Sequence, residues 1–244
     1  MSHVELSLVV PAFNEGDSIE KALDLLDRAV RGSMLRYEIV VVDDGSVDET
    51  AVRAVDYASR NGGHVKVVTY RQNVGKGYAV RTGFLRSCGE AVVFVDSDLE
   101  IDVNLVGRYV EALRHSDVVV ASKGHPESVV DIPLTRRVLG SSFNVLVRLL
   151  TGVALKDTQT GLKAIRRSAL KEIVPRLAVK RYAFDVELLT VANLLGLKVA
   201  EMPVTVHMKG LFKLRDVWWM FVDLLGISYR LRVLRWYQRA LNQA

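Results

Sequence analysis

The sequence predicts an α/β protein with a Rossmann-like, mostly parallel sheet and helices on both faces. Three observations carry this. Short apolar runs alternate with helical patterns four times over, which is the signature of parallel strands joined by helices. The run Val92-Val93-Phe94-Val95 has no polar alternation, as in a strand covered on both sides. Polar or special residues recur where the runs end, at Asn14-Glu15, Asp43-Asp44, Arg71-Asn73, Asp96-Asp98 and Ser122-Lys123. Ligands in this architecture bind beyond the carboxyl ends of the strands.

The elements follow in order. Leu6 to Pro11 reads as the first strand. Asp17 can cap the next helix, with Glu20 completing a capping box. That helix carries Ile19, Ala22, Leu23, Leu26 and Val30 at helical spacing. Tyr37 to Val42 is a second strand. Asp48 then caps a helix with Val52, Val55 and Ala58 on one side. Val65 to Tyr70 is a third strand, and Asn73-Val74-Gly75-Lys76-Gly77 opens a helix running through Leu85. Val92 to Val95 is the fourth strand. Val103 to Leu113 is helical and Val118 to Ala121 is a fifth strand. Pro133 to Leu150 reads as a helix whose apolar face is Val138, Leu139, Phe143, Leu146 and Leu149. Asp157 to Lys163 reads as a polar loop, Tyr182 to Leu189 leads into a helix, and Lys198 to Val206 is a strand.

The bounds are broad. The chain has 244 residues, half of them hydrophobic, enough for a proper core. Its single cysteine, Cys88, excludes a disulfide within the chain. A net charge of +5 and a pI of about 9.3 admit anionic lipid or phosphorylated substrates as partners. Met1 to Glu5 lacks a signal-peptide form, and no apolar run reaches the roughly 20 residues of a spanning helix. The expectation is a soluble or peripheral protein.

No Gly-x-Gly-x-x-Gly follows the first strand and no Walker-type loop is present, which argues against a dinucleotide cofactor and a P-loop NTPase. The five histidines show no zinc-ligand spacing. Asp96 and Asp98 are different. Residues two apart in extended backbone point to the same side, so both carboxylates can reach one point. Paired oxygen ligands at a water-open edge suit Mg²⁺ or Mn²⁺. A bare Asp-x-Asp also fits a solvated loop; the recurrence of polar strand ends at one edge favours a site.

Val10-Pro11-Ala12-Phe13-Asn14-Glu15, Val41-Val42-Asp43-Asp44-Gly45-Ser46, Asn73 to Gly77 and Asp96-Ser97-Asp98 together resemble family-2 glycosyltransferases of the GT-A fold. The likeness is to the polyprenyl-phosphate group. Asp157 to Lys163 and Ala183 to Leu189 look more like its dolichyl-phosphate glucosyltransferase branch. The resemblance implies a nucleotide pocket lined by Pro11, Ala12, Asn14, Glu15, Asp43, Asp44, Asn73, Lys76, Gly77, Asp96 and Ser97. It implies a metal on Asp96 and Asp98, with Glu100 as a third ligand. It implies an acceptor phosphate met by Lys123, Arg136, Arg137, Ser141 and Lys213. Catalysis would rest on Asp96, Asp98, Arg137 and Asp157.

The implied reaction is an inverting transfer of a hexose from a nucleotide-diphosphate sugar to dolichyl or polyprenyl phosphate, with UDP-glucose favoured as donor. GDP-mannose or UDP-GlcNAc as donor, or a glycan hydroxyl as acceptor, is the alternative. A phosphate monoester loses its second proton near pH ~6, so the attacking oxygen arrives anionic and needs no strong base. Asp157 and Gln159 therefore read as positioning groups. Asp185 and Glu187 fit either a base or acids at a helix start.

Residues 1–208 are expected to form the catalytic domain, and 209–244 a basic amphipathic C-terminal segment. Trp218, Trp219 and Trp236 stand among Lys209, Lys213, Arg215, Arg230, Arg232, Arg235 and Arg239. This suits a helix lying on a membrane, or one packed on the core. No nucleic-acid module is present. The expected location is peripheral, on the cytoplasmic face of a membrane.

Overall fold

A computed structural model of the chain describes residues 4–33, 35–98, 100–207 and 214–239. The first half is the alternation expected: β1 (Leu6–Ala12), α1 (Ile19–Arg31), β2 (Tyr37–Asp43), α2 (Thr50–Arg60), β3 (Val65–Thr69), α3 (Lys76–Arg86), β4 (Ala91–Val95), α4 (Val106–Ala112) and β5 (Val118–Ala121). The second half adds β6 (Val129–Asp131), α5 (Leu134–Thr151), β7 (Leu162–Arg166), α6 (Arg167–Ile173), α7 (Phe184–Leu194), β8 (Val199–Met202), β9 (Thr205–His207), α8 (Leu214–Arg232) and α9 (Trp236–Arg239).

Seven strands form the main sheet in the order β3-β2-β1-β4-β7-β5-β8, while β6 and β9 pair separately. All neighbours are parallel except β7, which runs antiparallel between β4 and β5. Alternate residues of each strand serve opposite faces. Val9, Val92 and Phe94 pack with α3, α5, α7 and α8, whereas Leu8, Val10, Val93 and Val95 pack with α1 and α4. Burial on both faces explains why the central strands are continuous apolar runs.

The structure corrects several local expectations. Asp17 does not cap α1. Ser18 precedes the helix and turns its hydroxyl back to Glu15. Glu20 instead pairs with Arg60. On α2, Val52 and Val55 face solvent; Thr50, Ala54 and Tyr57 make the packed stripe. On α5 the inner stripe is Phe143, Val147 and Thr151, leaving Val138, Leu139, Leu146 and Leu149 exposed. The expected strand from Lys198 to Val206 is two strands, broken at Pro203, which has no N–H for a ladder. The polar loop before Lys163 runs into a central strand, because Lys163 is buried in β7 at 1 % exposure and its charge is met by Asp185.

The C-terminal segment shares the core of the preceding residues. Met220, Leu224, Ile227 and Leu231 of α8 and Tyr237 of α9 belong to the same cluster as Phe94 and Phe184. Glu187, fully buried on α7, accepts from the Tyr237 hydroxyl and from Arg230 at 3.3 Å.

Candidate active site

The parallel strands deliver their carboxyl ends to one edge, and a cleft of about 690 Å³ opens there. Its wall gathers Pro11, Ala12 and Glu15 from β1 and its turn, Asp44 after β2, Asn73 and Lys76 before and on α3, and Asp96, Ser97 and Asp98 after β4. These nine were all expected from sequence.

Asp44 builds the cleft rather than reaching into it. Its carboxylate accepts from the Tyr70 hydroxyl at 2.7 Å, Asn73 Nδ2 at 2.9 Å, and the Val74 and Gly75 N–H groups, each at 2.9 Å. This fixes the loop that starts α3. Gly75 is required there: its φ of 121° is open to glycine, and a Cβ would lie 2.4 Å from the Lys180 carbonyl oxygen. Asn14, Asp43 and Gly77 were expected in the nucleotide wall but do not line it. Asn14 Oδ1 accepts from Val47 N, Asp43 Oδ1 accepts from Ser46 N, and Gly77 lets α3 approach Phe184.

The floor is acidic with one cation in place. Lys76 Nζ lies 2.7 Å from Asp96 Oδ1 and 5.4 Å from the Phe94 ring centre. Burial opposes the Lys76 charge, but Asp96 and Asp185 outweigh it and hold the ammonium well above the usual lysine range. Asp98, exposed on the rim, accepts the Glu100 N–H at 3.1 Å and no other donor among the described residues. Desolvation by the cleft and the charge of Asp96 push its carboxyl up to about 6. Two under-satisfied carboxylates, with an ammonium standing on one of them, fit a hard divalent cation. Among the described residues no three His, Cys, Asp or Glu side chains gather as a metal set. Glu100 turns to Arg136 at 3.7 Å, so the three-carboxylate set expected from sequence does not form.

Of the expected acceptor residues, Lys123, Arg136, Arg137 and Ser141 lie apart from the cleft wall. Asp157 is buried and saturated by Lys123 Nζ at 2.8 Å, the Lys123 and Gln159 N–H groups, and the Thr160 hydroxyl. Burial raises its carboxyl, but Lys123 and the other donors win and lower it. Arg137 and Ser141, one turn apart on α5, are exposed. Lys213 lies outside the described residues. Asp185 is buried against Lys163 at 2.7 Å, and Glu187 accepts the Ala178 and Val179 N–H groups. Both acids stand in the first turn of α7, the second of the two alternatives above.

The sequence reading missed one wall. Arg181 and Tyr182 before α7, with Arg215, Asp216 and Trp219 of α8, also line the cleft, Arg181 lying against the start of α3. The Arg181 guanidinium stacks 4.1 Å from the Trp219 ring centre. Trp219 was legible only as an interfacial aromatic.

A family model described as Glycosyl transferase family 2 matches residues 7–174. A Homo sapiens protein named dolichyl-phosphate beta-glucosyltransferase is 34% identical over 251 residues, covering 95% of this chain and 77% of the relative. A Trichomonas vaginalis protein with the same activity in its name is 33% identical over 250 residues, covering 96% and 74%. Glucosyl-3-phosphoglycerate synthase of Mycobacterium tuberculosis, solved with UDP, superposes with a TM-score of 0.71 at 22% identity, covering 92% of this chain and 80% of that one. The same enzyme with Mn²⁺, UDP-glucose and phosphoglyceric acid gives 0.69 at 21% identity, again over 92% and 80%. At that identity the likeness establishes the fold, which is GT-A.

Proposed function

The chain belongs to glycosyl transferase family 2, and from that premise we propose that it transfers glucose from UDP-glucose, with inversion, to dolichyl or a related polyprenyl phosphate. The observation that carries the reaction class is the Asp96/Asp98 pair at the floor of the strand-end cleft. The donor and acceptor come from the names of the relatives.

The Asn73–Gly75 loop, whose Val74 and Gly75 N–H groups are held by Asp44, sets α3 so that its first turn presents Lys76 to the donor diphosphate. Asp96 and Asp98 would hold Mg²⁺ or Mn²⁺, which when bound would supply charge neutralisation to the diphosphate leaving group. The acceptor phosphate is already anionic. That agrees with Asp157, Asp185 and Glu187 all being committed to protein partners. Arg137 and Ser141 present a cation and a hydroxyl on one face of α5 to the acceptor headgroup.

The acceptor's long chain needs an apolar surface. The outer stripe of α5 leaves Leu149 65 % exposed, and α8, packed beside it, leaves Trp218 at 62 %. Arg148 adjoins Leu149 in sequence, and the Arg232 guanidinium donates to the Leu149 and Leu150 carbonyls at 2.6 and 2.9 Å. This supports peripheral attachment to a membrane surface. Among the described residues, no helix is long and apolar enough to cross a membrane.

The test is incubation with labelled UDP-glucose and dolichyl phosphate in the presence of Mg²⁺ or Mn²⁺. Label is expected in the organic-solvent extract. Label confined to water-soluble product would overturn the proposal. Flotation with anionic liposomes, compared with Val138→Glu/Leu149→Glu, tests the membrane face; unchanged flotation of the variant would remove α5 from it.

A further inference from the structure

Lys76 and Asp96 carry an inference beyond the transfer itself, resting on the reading that a nucleoside diphosphate occupies the cleft. Lys76 Nζ lies 2.7 Å from one Asp96 oxygen and 2.8 Å from the other. One ammonium thus takes both oxygens that a metal would need. The carboxylate has little room to shift. Its backbone N–H donates to the Gly161 carbonyl at 3.0 Å, and a Cβ on Gly161 would fall 1.8 Å from Asp96 Oδ2. Lys76 reaches the site on a flexible four-carbon stem, with its side chain 26% exposed toward the cleft. Of the two partners, the lysine is the one able to leave.

We propose that Lys76 is a built-in counter-ion that holds the cation seat of Asp96 until a nucleoside diphosphate and a divalent metal arrive together. A metal binding alone must evict the ammonium and leave two cations within a few ångströms, which is repulsive. With the diphosphate present, the evicted ammonium meets an anion in the same cleft. Metal and nucleotide then bind with positive coupling, and each raises the affinity of the other by the same factor. The device discourages metal loading in the absence of donor.

The experiment reads free Mn²⁺ by electron paramagnetic resonance, with the full chain and no nucleotide, UDP or GDP. In the wild type, one of the nucleotides is expected to tighten Mn²⁺ at least about tenfold, or ~1.4 kcal/mol. Lys76→Met is expected to bind Mn²⁺ alone about tenfold more tightly than the wild type, with a smaller gain from nucleotide. Lys76→Arg keeps the charge and is expected to behave as wild type. Asp96→Asn marks the signal of a lost site. Equal Mn²⁺ affinity of wild type and folded Lys76→Met without nucleotide would overturn the proposal. So would a wild type whose Mn²⁺ affinity ignores both nucleotides, a result that needs no variant. Lys76→Gln replaces the methionine variant if that one does not fold. The nucleotide-free comparison involves neither sugar nor lipid. Its failure would leave lipid glucosylation standing, and failure of lipid glucosylation would leave the comparison standing.

Discussion

Two edges of one sheet hold carboxylates in opposite conditions, one buried and one on the rim of the cleft. At the amino edge, Glu38 of β2 accepts from the Ser7 hydroxyl, Lys66 Nζ and the Cys88 N–H, each at 2.6 Å. Burial alone would raise its carboxyl, but Lys66, Ser7 and Cys88 together hold it down at about 2. At the carboxyl edge, Asp98 has one backbone donor, and desolvation and Asp96 lift it to about 6. The same residue chemistry is saturated with protein donors where it is buried in the fold and short of them at the rim of the cleft. The two carboxylates differ in donors and in exposure together: Glu38 is 2 % exposed with several protein donors, and Asp98 is exposed with one among the described residues.

The comparison breaks most readily at the site. Asp98→Ala is expected to lower kcat/KM for glucosyl transfer about a thousandfold, the scale of losing a charge-stabilising group in the transition state, while the melting temperature holds or rises. A large fall in melting temperature would mean that Asp98 also supports the fold. Glu38→Ala is expected to do the reverse. Removing it leaves the half-exposed Lys66 ammonium to water and orphans the Ser7 hydroxyl and the Cys88 N–H, and should cost roughly 3 kcal/mol of stability, or about 6–12 °C for a chain of this size. Activity per folded molecule is expected to stay within about twofold. Urea titration with parallel activity measurement separates the two.

Acid sharpens the contrast. The folded carboxyl of Glu38 lies at about 2, below its ordinary 4.5. A depressed folded value gives stability that is present above 4.5 and lost as the pH falls toward 2. The stake is roughly 3 kcal/mol. The wild type should therefore lose urea stability over that interval more steeply than Glu38→Gln. Parallel curves would show that Glu38 is not the group responsible.

Sequence made one of these edges legible and hid much of the other evidence. The donor side was readable because Val92 to Val95 is apolar on both faces and ends in Asp96-Ser97-Asp98, all within one short stretch. Strand β7 was not, because Lys163 and Arg166 interrupt its apolar run. Only the fold brings Asp185 to Lys163. Lys123 and Asp157 looked like separate functional groups because nothing local says that they pair. The exposed stripe of α5 was mistaken for its packed one because both are apolar at helical spacing; which one meets the sheet depends on the rest of the molecule. The wall from Arg181 and Trp219 joins segments far apart in the chain and leaves no motif.

That wall supplies the smallest expected effect. The Arg181–Trp219 stack lies across the mouth of the cleft, 4.1 Å from guanidinium carbon to ring centre, and Trp219 is partly exposed. A cation–π contact at an exposed site contributes about 0.5–1 kcal/mol. If it only closes the cleft over the nucleotide, Arg181→Ala should raise the dissociation constant for UDP about threefold. The KM for the lipid phosphate should not change, because Arg137 and Ser141 stand on a different element. Calorimetric UDP titration and acceptor kinetics on the same variant decide the matter. A shift in the acceptor KM alone would assign Arg181 to the lipid phosphate and move the boundary between donor and acceptor across the cleft.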